Sequence, residues 1–398
     1  MSAGHATRAI FGTPAIVAKR GALRIHRGHP WIFKSDIDTR PSCPAGIVSV
    51  IGVDGTRFGW ALWSPLSEIS LRMIERDSTV RIDDAWWFEK LKTTLARRDR
   101  LAHDNSAYRL IHGEGDGLPS LVVDRYGDYL VAQLLSAGMA AWQDTIVASL
   151  QELTNCRGIL ARHDVPARER EGLSRDIQLL FGEVPRNVEV HEHGVKFFAA
   201  PWDGQKTGAF LDQRDNRVLV GAKTRGRALD CFAYHGSFAL HMAKRATEVV
   251  AVDSSKPALA RALENARLNG FSNVRTHEGD AFDVMREWHR AGERFDTIVV
   301  DPPAFAKTRA ALPAALRGYK DINLQAMKLL SADGILFSAS CSHHLSKTLF
   351  WEMLQEAAAD SGRRFAIEAI TGQGIDHPEI VTIPETGYLK GALLRAQD

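Results

Sequence analysis

Residues 227–253, RALDCFAYHGSFALHMAKRATEVVAVD, restrict the fold of this chain more than any other stretch. They begin with an apolar run at 228–232 and pass through a small-residue turn, YHGS, at 234–237. A helical pattern and a second apolar run that ends in Asp253 follow. A strand, a tight turn and a helix N-terminus in this order form a cleft that binds nucleotides in α/β proteins. The stretch therefore predicts a β-α-β unit with a nucleoside-type site.

Acidic residues at the two strand ends indicate which nucleoside this cleft binds. Asp253 lies 23 positions after Asp230, about where a carboxylate accepts hydrogen bonds from both hydroxyls of a ribose. The turn lacks the pattern G-x-G-x-x-G, so it need not hold a pyrophosphate, and Asp230 places an acid at its mouth. An acid there suits a cationic nucleoside better than a phosphate. We therefore expect the cofactor to be S-adenosylmethionine, which carries a sulfonium and an amino group.

The rest of the chain divides into blocks of different pattern. Residues 14–80 read as short strands broken by glycine, proline and aspartate, including a run AIVAK at 15–19, which predicts a small β-barrel or sandwich. From about residue 192 onward strands and helices alternate, which predicts a parallel sheet with helices on both faces. At 398 residues, two or three domains are typical.

The middle block mixes both kinds of element. Residues 85–103 have helical periodicity, and a second helix is predicted near 141–153. Between them, two apolar runs meet at Tyr126-Gly127-Asp128, which predicts a β-hairpin. This block therefore reads as an α+β module. We expect domains at 1–84, 85–191 and 192–398.

Composition excludes several classes of protein. With 45% hydrophobic and 25% charged residues, the chain has an ordinary globular composition, and no apolar run approaches the roughly 18–20 residues that span a bilayer. No signal peptide is recognisable at the N-terminus. Cysteines stand at 43, 156, 231 and 341 without a C-x-x-C pair, which argues against zinc and disulfides. We expect a cytoplasmic protein without a membrane partner or a bound metal.

Positive charge is concentrated near the N-terminus. Residues 1–40 carry seven Lys or Arg residues against two acids, although the formal net charge of the chain is only +2. Lys19 and Arg24 belong to this group. A local basic excess indicates a polyanionic partner, although a solvated surface explains it equally well.

Two further acids follow later strands. EGDAFDVM places Asp280 after a third strand, where its carboxylate can meet an adenine amino group or cap the next helix, or do both. The apolar run Phe295–Val300 ends in Asp-Pro-Pro-Ala-Phe at 301–305, a rigid and extended lip at the ligand-binding edge of a sheet. This lip offers a carboxylate and backbone carbonyls to the edge of a planar base, and Phe305 can stack on that base.

Cys341 closes another apolar run, at 335–339, and should reach the same edge of the sheet as Asp301. An isolated thiol is commonly an inert apolar residue. Beside a methyl donor, however, a thiolate can add to C6 of a pyrimidine, which makes C5 nucleophilic enough to take a methyl group. His343 and His344 follow directly and can stabilise the thiolate, bind phosphate or simply lie on the surface.

A series of motifs runs in order along nearly the whole chain. They are AIVAKRGALRIHRGHPWIFKSDI, YRLIHGEGDGLPSLVVDRYGDYLV, GQKTGAFLDQRDNR, LDCFAYHGSFALHMA, VVDPPAFAKTR, RGYKDIN, SASCSHH, DHP and GYLKG. In this order they resemble the bacterial 23S rRNA (cytosine-C5) methyltransferases of the RlmI type. The resemblance implies an α/β chain with an N-terminal PUA-like β-barrel, a central α+β domain and a C-terminal Rossmann-like class I methyltransferase domain.

The resemblance also implies roles for individual residues. Cys341 matches the nucleophile and Asp301 the contact to the base edge. The segment that flanks the cofactor in such enzymes is matched by Lys206, Thr207, Gly208, Asp212, Gln213 and Arg214. No second cysteine stands in the Asp-Pro-Pro motif, so either Asp301 or a water removes the proton from C5.

These arguments predict a complete site. The catalytic residues are expected to be Cys341 and Asp301. The expected contacts to S-adenosylmethionine come from Asp230, Phe232, Gly236, Ser237, Asp253, Ser254, Asp280, Ala281, Asp301, Pro302, Asp212, Gln213 and Arg214. The expected contacts to the substrate come from Phe305, Lys307, Lys320, Arg24 and Lys19.

The expected reaction is transfer of a methyl group to C5 of a cytosine in large-subunit (23S) ribosomal RNA, which is the expected partner. One alternative keeps the cofactor but methylates a guanine nitrogen in ribosomal RNA, which needs no cysteine. Another is an RNA-binding assembly factor with a vestigial cofactor pocket. The sequence leaves the number of associating chains open, a homodimer included.

Overall fold

The computed structural model describes residues 13–306 and 308–397, which form two compact units. The N-terminal unit consists of the described residues up to Val190 together with Ala199–Ala209 and Asp376–Thr386. The C-terminal unit consists of His191–Phe198, Phe210–Ile375 and the described residues from Gly387 onward. The division into domains at 1–84, 85–191 and 192–398 stays a prediction.

The first sheet of the N-terminal unit is mixed and built from short strands. These are β1 Ala15–Val17, β2 Trp31–Ile32, β3 Ile37–Thr39, β4 Gly46–Gly52, β5 Arg57–Trp63 and β6 Leu71–Glu75. Their order is β2-β6-β5-β4-β1-β3. The run predicted as a strand at 15–19 is shorter than expected, because helix α1 (Lys19–His26) begins directly after it. This helix buries Gly21 and Ile25, which are one helical turn apart.

The second sheet of this unit has the order β11-β10-β9-β8-β7. Its strands are β7 Ala107–His112, β8 Leu121–Tyr126, β9 Tyr129–Leu134, β10 Gly158–Arg162 and β11 Ile177–Gly182. Its helices are α2 Asp84–Ala96, α3 Asp99–Ala102, α4 Ala137–Ala140 and α5 Gln143–Thr154. The hairpin predicted at Gly127 is confirmed, since Tyr126 pairs with Tyr129 across a two-residue turn.

Both sheets of the N-terminal unit contribute to one hydrophobic core. Ile47 and Leu62 of the first sheet pack in the same cluster as Trp87 of α2 and Leu121 of β8. Helix α4 lies so close to β5 that a Cβ on Gly138 would stand 2.8 Å from that of Leu62. This close packing requires glycine at that position.

The C-terminal unit is organised around a sheet with the order β16-β15-β14-β17-β18-β20-β19. Its strands are β14 Arg227–Cys231, β15 Glu248–Asp253, β16 Val274–Glu278, β17 Phe295–Val300, β18 Leu330–Ser340, β19 Phe365–Thr371 and β20 Lys390–Ala396. Its helices are α6 Arg214–Lys223, α7 Ser237–Ala243, α8 Lys256–Leu268, α9 Ala281–Arg290, α10 Leu312–Leu329 and α11 Lys347–Ser361. A hairpin of β12 (Val188–Glu192) and β13 (Val195–Ala199) precedes this sheet along the chain.

The expectation of a purely parallel sheet is wrong at one end. Strands β16, β15, β14, β17 and β18 pair in parallel, but β20 pairs antiparallel with both β18 and β19. A parallel pairing needs a crossover connection, usually a helix. The chain between β19 and β20 forms a loop with a 3-10 turn, so β20 returns in the opposite direction.

Because of this topology, the ends of several strands meet at one edge of the sheet. The apolar strands β14 and β17 are buried between helices, as expected for the centre of a parallel sheet. The four strands β14, β15, β17 and β18 all end at the same edge, and the antiparallel β20 begins there. Polar residues at these ends therefore lie side by side. Within the described part of the chain, no helix combines the length and the apolar character needed to cross a membrane.

Candidate active site

Five side chains follow one another along this edge of the C-terminal unit. In the order of their strands (β15, β14, β17, β18, β20), they are Asp253, Asp230, Asp301, Cys341 and Lys390. We call Asp253, Asp230 and Asp301 the carboxylate half of the edge, and Cys341 with Lys390 the thiol half. The predicted placement of Asp301 and Cys341 at one edge is confirmed, because β17 and β18 are parallel neighbours.

The turn after β14 is held in an unusual backbone conformation. Phe232 and Tyr234 have positive φ angles of 64° and 49°, which side chains other than glycine rarely adopt. Asp253 stabilises this turn, because its Oδ2 accepts a hydrogen bond from the Tyr234 N–H at 2.8 Å. Its Oδ1 accepts one from the Ser255 N–H at 2.8 Å. The acid at the end of β15 thus organises the mouth of the cleft.

Gly236 allows close packing of two helices, and its predicted contact to the cofactor stays a prediction. Its φ is 83°, and a Cβ placed on it would stand 2.9 Å from the Cβ of Ala262 in α8. Glycine is therefore needed where α7 begins because α8 packs against the turn. Ser237 follows as the first residue of α7, with its Oγ 3.1 Å from Nδ1 of His235.

Asp230 is buried, with 1% of its surface exposed, and its Oδ2 accepts a hydrogen bond from the Ala239 N–H at 2.9 Å. Burial raises the pKa of Asp230 to about 8, although the hydrogen bond from Ala239 acts in the opposite direction. The charges of Asp301 and Asp253 raise this pKa further. Asp301 and Asp253 are thus close enough to Asp230 to disfavour its charge.

This carboxylate half fits S-adenosylmethionine. A bound cation offsets the repulsion that Asp253 and Asp301 exert on a charged Asp230 and therefore favours the ionised form of Asp230. The sulfonium and the amino group supply such charge, whereas a pyrophosphate would increase the repulsion. Asp253 is only partly buried, so its carboxylate is accessible to ribose hydroxyls. Ser254 beside it is exposed.

Asp280 caps helix α9. Its Oδ1 accepts hydrogen bonds from the Phe282 N–H at 2.9 Å and the Asp283 N–H at 3.4 Å. The predicted helix cap is therefore confirmed, while a contact of Asp280 or Ala281 to adenine stays a prediction.

The lip at 301–305 and the loop around Cys341 are joined by hydroxyl groups. The Phe305 N–H donates to the Tyr319 hydroxyl at 3.3 Å, and the Ala306 N–H donates to Oγ of Ser342 at 3.3 Å. The hydroxyls of Tyr319 and Ser342 are themselves 2.9 Å apart. Tyr319, on α10, is fully buried. It thereby couples the position of the lip to that of the loop.

An apolar slot opens beside the lip. The ring of Phe305 packs on that of Tyr319 at a centroid distance of 4.6 Å, and the buried Pro302 stiffens the lip. The slot has a volume of about 380 Å³. It is lined by Phe282, Phe305, Ala311, Ala314, Ala315 and Gly318. Rings and small side chains together accommodate a flat apolar surface such as the face of a base.

Lys390 is a site residue that sequence reasoning missed. It is the first residue of β20 and pairs with Ser340, the residue before Cys341. Its Nζ donates hydrogen bonds to the carbonyl oxygens of Ser342 at 2.7 Å and Tyr388 at 2.9 Å. Burial lowers the pKa of Lys390 to about 8, and the Cys341 side chain opposes this shift. In the sequence, Lys390 could have been noticed as a lysine at the start of an apolar strand, in GYLKGALL.

His343 lies against Tyr388, with ring centroids 5.6 Å apart. Local loss of water lowers the pKa of His343, and the charges of Lys390 and His344 lower it further. At neutral pH this imidazole is therefore neutral, and it does not supply a positive charge to Cys341. His344 is exposed.

The segment that the resemblance assigns to the cofactor is split between the two units. Asp212 and Gln213 form a 3-10 turn before Arg214 at the start of α6, and all three are buried in the C-terminal unit. Asp212 accepts a hydrogen bond from the Tyr388 hydroxyl at 2.8 Å. Lys206, Thr207 and Gly208 belong to the N-terminal unit, where the Thr207 hydroxyl donates to Asp124 at 2.6 Å.

Two of the four cations predicted to bind the substrate have acidic partners within their own unit. Lys320 contacts Glu356 at 3.0 Å and Asp360 at 2.9 Å, both on α11. Arg24 contacts Asp36 at 3.1 Å. Lys19 is exposed at the start of α1, and Lys307 lies outside the described residues. The roles of these cations stay predictions.

An open sheet with this strand order and an acidic edge that fits a cationic nucleoside defines a Rossmann-like methyltransferase. Comparison with known families agrees. Residues 108–389 match the family described as S-adenosylmethionine-dependent methyltransferase, and residues 15–76 match a PUA-like domain. The predicted fold class and cofactor are thereby confirmed, and the chain is a methyltransferase that uses S-adenosylmethionine.

The relatives are similar to this chain over nearly all of its length. The protein named ribosomal RNA large subunit methyltransferase I of Tolumonas auensis is 41% identical over 381 residues, which cover 93% of this chain and 96% of the relative. The protein of the same name from Aeromonas salmonicida is 40% identical over 380 residues, with the same coverage. The chain belongs to the family of these proteins.

Solved structures show the same fold. A putative SAM-dependent methyltransferase from Streptococcus mutans has a TM-score of 0.80 at 21% identity, covering 96% of this chain and 99% of that chain. A putative methyltransferase complexed with SAH has a TM-score of 0.82 at 20% identity, with the same coverage. At this identity the likeness establishes the fold alone.

Proposed function

We propose that the protein transfers a methyl group from S-adenosylmethionine to C5 of a cytosine in large-subunit ribosomal RNA, with Cys341 as the nucleophile. The observation that carries this proposal is the position of Cys341. It directly follows β18, beside the lip that begins at Asp301 and on the edge that carries the cofactor acids Asp230 and Asp253. The names of the relatives, which are large-subunit ribosomal RNA methyltransferases, support the substrate.

The thiol allows a methyl group to be transferred to a carbon atom of the base. The thiolate of Cys341 forms a bond to C6, and the electron pair of the C5–C6 double bond moves to C5. The bound cofactor supplies a methyl group on a positively charged sulfur. Asp301 or a water then takes the proton from C5, the double bond forms again, and the C6–S bond breaks to release the thiolate. Before that proton leaves, the electron pair on C5 forms the bond to the methyl carbon as the bond between this carbon and the sulfur breaks. The net products are therefore 5-methylcytosine, S-adenosylhomocysteine and one proton.

The target base must leave its helix to reach Cys341. The lip at 301–305 supplies a polar edge, and the slot next to it supplies stacking surface through Phe305. Phosphates flanking the base are assigned to Lys19, Arg24, Lys307 and Lys320, which make affinity dependent on salt. A ribosomal substrate agrees with the cytoplasm as the compartment expected from the cysteines.

Replacement of the thiol tests this proposal. We expect Cys341→Ala to lower the rate of methylation by roughly a thousandfold or more while cofactor affinity stays unchanged, because only covalent activation is lost. Methylation of ribosomal RNA in vitro and calorimetric binding of S-adenosylmethionine measure the two effects. Cys43→Ala removes a thiol in the N-terminal unit and serves as the matched control, with full activity expected.

Other outcomes separate the alternatives. Full activity of Cys341→Ala would contradict the proposal and favour methylation of a guanine nitrogen, for which no nucleophile is needed. If the unmodified protein failed to bind S-adenosylmethionine at millimolar concentration, an assembly factor with a vestigial pocket would be the better account.

A further inference from the structure

We propose that Lys390 is a positioning residue that keeps Cys341 in its thiolate form and fixes the loop that carries it. This inference rests on the proposed function, in which Cys341 is the nucleophile. A thiolate, and not a thiol, is the attacking species, so an enzyme of this kind needs a group that stabilises the anion at neutral pH.

The strand register brings Lys390 to Cys341. Lys390 pairs with Ser340 in the antiparallel ladder of β18 and β20, and Cys341 is the next residue. The Nζ of Lys390 is anchored between the carbonyl oxygens of Ser342 and Tyr388, at 2.7 and 2.9 Å. An ammonium has three N–H donors, and these bonds use two of them. The cation is therefore held in place next to the thiol by backbone atoms on both sides.

Burial makes this cation dependent on an anion. Lys390 is 5% exposed, and its two carbonyl partners are neutral. A buried ammonium without a compensating charge is costly, and the charge interactions that act on Lys390 come from Cys341, which favours the ammonium, and Lys347, which opposes it. Ammonium and thiolate thus stabilise each other.

The remaining groups around the thiol do not replace this charge. Tyr319 of α10 has a pKa raised by burial, so its hydroxyl is neutral at physiological pH. His343 on the same loop is neutral there, because loss of water lowers its pKa. His344 and Lys347 are exposed, and water screens their charges. Among these groups, Lys390 is the buried cation.

The pH dependence of thiol alkylation tests the inference directly. The rate at which iodoacetamide modifies Cys341 in the full-length protein, followed by mass spectrometry of the Cys341 peptide, rises with the thiolate fraction. We expect the midpoint of the unmodified protein to lie below that of free cysteine, about 8.5. In Lys390→Met the midpoint should rise by about one pH unit or more, and the rate at neutral pH should fall about tenfold.

Two variants serve as controls. Lys390→Arg retains the charge and should keep the midpoint close to that of the unmodified protein. Lys347→Met removes an equal charge from the exposed start of α11, where we expect little change. The methylation rate of Lys390→Met should recover in part at higher pH, a response that a purely structural role would not produce.

Either of two results overturns the inference: coincident alkylation profiles of the unmodified protein and Lys390→Met, or a midpoint of the unmodified protein at or above 8.5. The second needs no variant and stays decisive if Lys390→Met does not fold. The alkylation assay contains no RNA, so it is separate from the test of the proposed function. Full methylation by Cys341→Ala would refute the nucleophile, whatever the alkylation profiles of the Lys390 variants.

Discussion

The two halves of the sheet edge hold opposite charge by different means. In the carboxylate half, Asp253 and Asp230 accept hydrogen bonds from backbone N–H groups of the turn and of α7. In the thiol half, the ammonium of Lys390 donates to backbone carbonyls of the loop and of Tyr388. Backbone groups position the side chains of both halves, but the carboxylate half supplies negative charge and Lys390 of the thiol half supplies positive charge.

This difference matches what each half must do. In the proposed function the carboxylate half receives a cation, the sulfonium cofactor, which offsets the repulsion of a charged Asp230 by Asp301 and Asp253. The thiol half would then have to produce an anion and would need a cation of its own. The strand that leads to the lip, β17, lies between β14 and β18.

Among changes in the carboxylate half, replacement of Asp253, the acid at the end of β15, should have the largest effect, a loss of cofactor affinity. In Asp253→Ala, the acceptor for the Tyr234 and Ser255 N–H groups disappears together with the ribose contact that we predict. Hydrogen bonds to a charged group contribute about 1.5–3 kcal/mol each, so cofactor affinity should fall about 10- to 100-fold. Titration calorimetry with S-adenosylmethionine measures this change.

Asp83→Ala is the matched control, because Asp83 caps α2 in the N-terminal unit and belongs to no predicted site. It should destabilise the protein by about 1 kcal/mol and leave cofactor affinity nearly unchanged. Equal losses of affinity in both variants would mean that Asp253 acts only through the stability of the fold.

The next largest effect is expected in the pH dependence of the unfolding free energy, to which Asp230 of the carboxylate half contributes. Asp230 has a folded pKa of about 8, above that of the unfolded chain, so its protonated form stabilises the fold at low pH. This stabilisation is complete below the unfolded value, and it is lost as the pH rises through the folded one. Between about pH 5 and 8 the unfolding free energy should fall by up to about 1.4 kcal/mol per pH unit from this group.

Urea unfolding of the cofactor-free protein at several pH values measures this slope. Asp230→Asn cannot ionise and should show a flatter dependence over the same range. An identical slope in both proteins would show that Asp230 does not titrate there.

The smallest effect is expected from the link between the lip and the thiol loop. Tyr319→Phe removes one hydroxyl that contacts Ser342 and the Phe305 N–H. One such hydrogen bond contributes about 1 kcal/mol, so kcat should fall about fivefold while cofactor affinity stays constant. A double-mutant cycle with Ser342→Ala should show non-additive effects, whereas additive effects would mean that the two hydroxyls act independently.

Much of the carboxylate half could be predicted from the sequence. Apolar runs that end in Asp253 and Asp301 mark strand termini, and the carboxyl ends of parallel strands share an edge. The cysteine of β14, Cys231, is fully buried among apolar side chains, as expected for packing. Chain order and strand periodicity contain this information.

The support of the thiol half could not be predicted in the same way. Lys390 reaches Cys341 only because β20 pairs antiparallel with β18, and a purely parallel sheet was expected. Tyr319 contacts the lip from α10, a contact between distant parts of the chain that no local pattern reveals. The packing of Gly236 could not be predicted for a related reason, since its neighbour Ala262 lies on the next helix.

The most direct test of the account is nucleoside mass spectrometry of large-subunit ribosomal RNA from cells that lack this protein and from cells supplied with Cys341→Ala. Methylation of carbon 5 through Cys341 predicts that one 5-methylcytidine disappears without the protein and stays absent with the variant. A missing methylguanosine together with unchanged 5-methylcytidine, or restoration of 5-methylcytidine by the variant, would contradict the account.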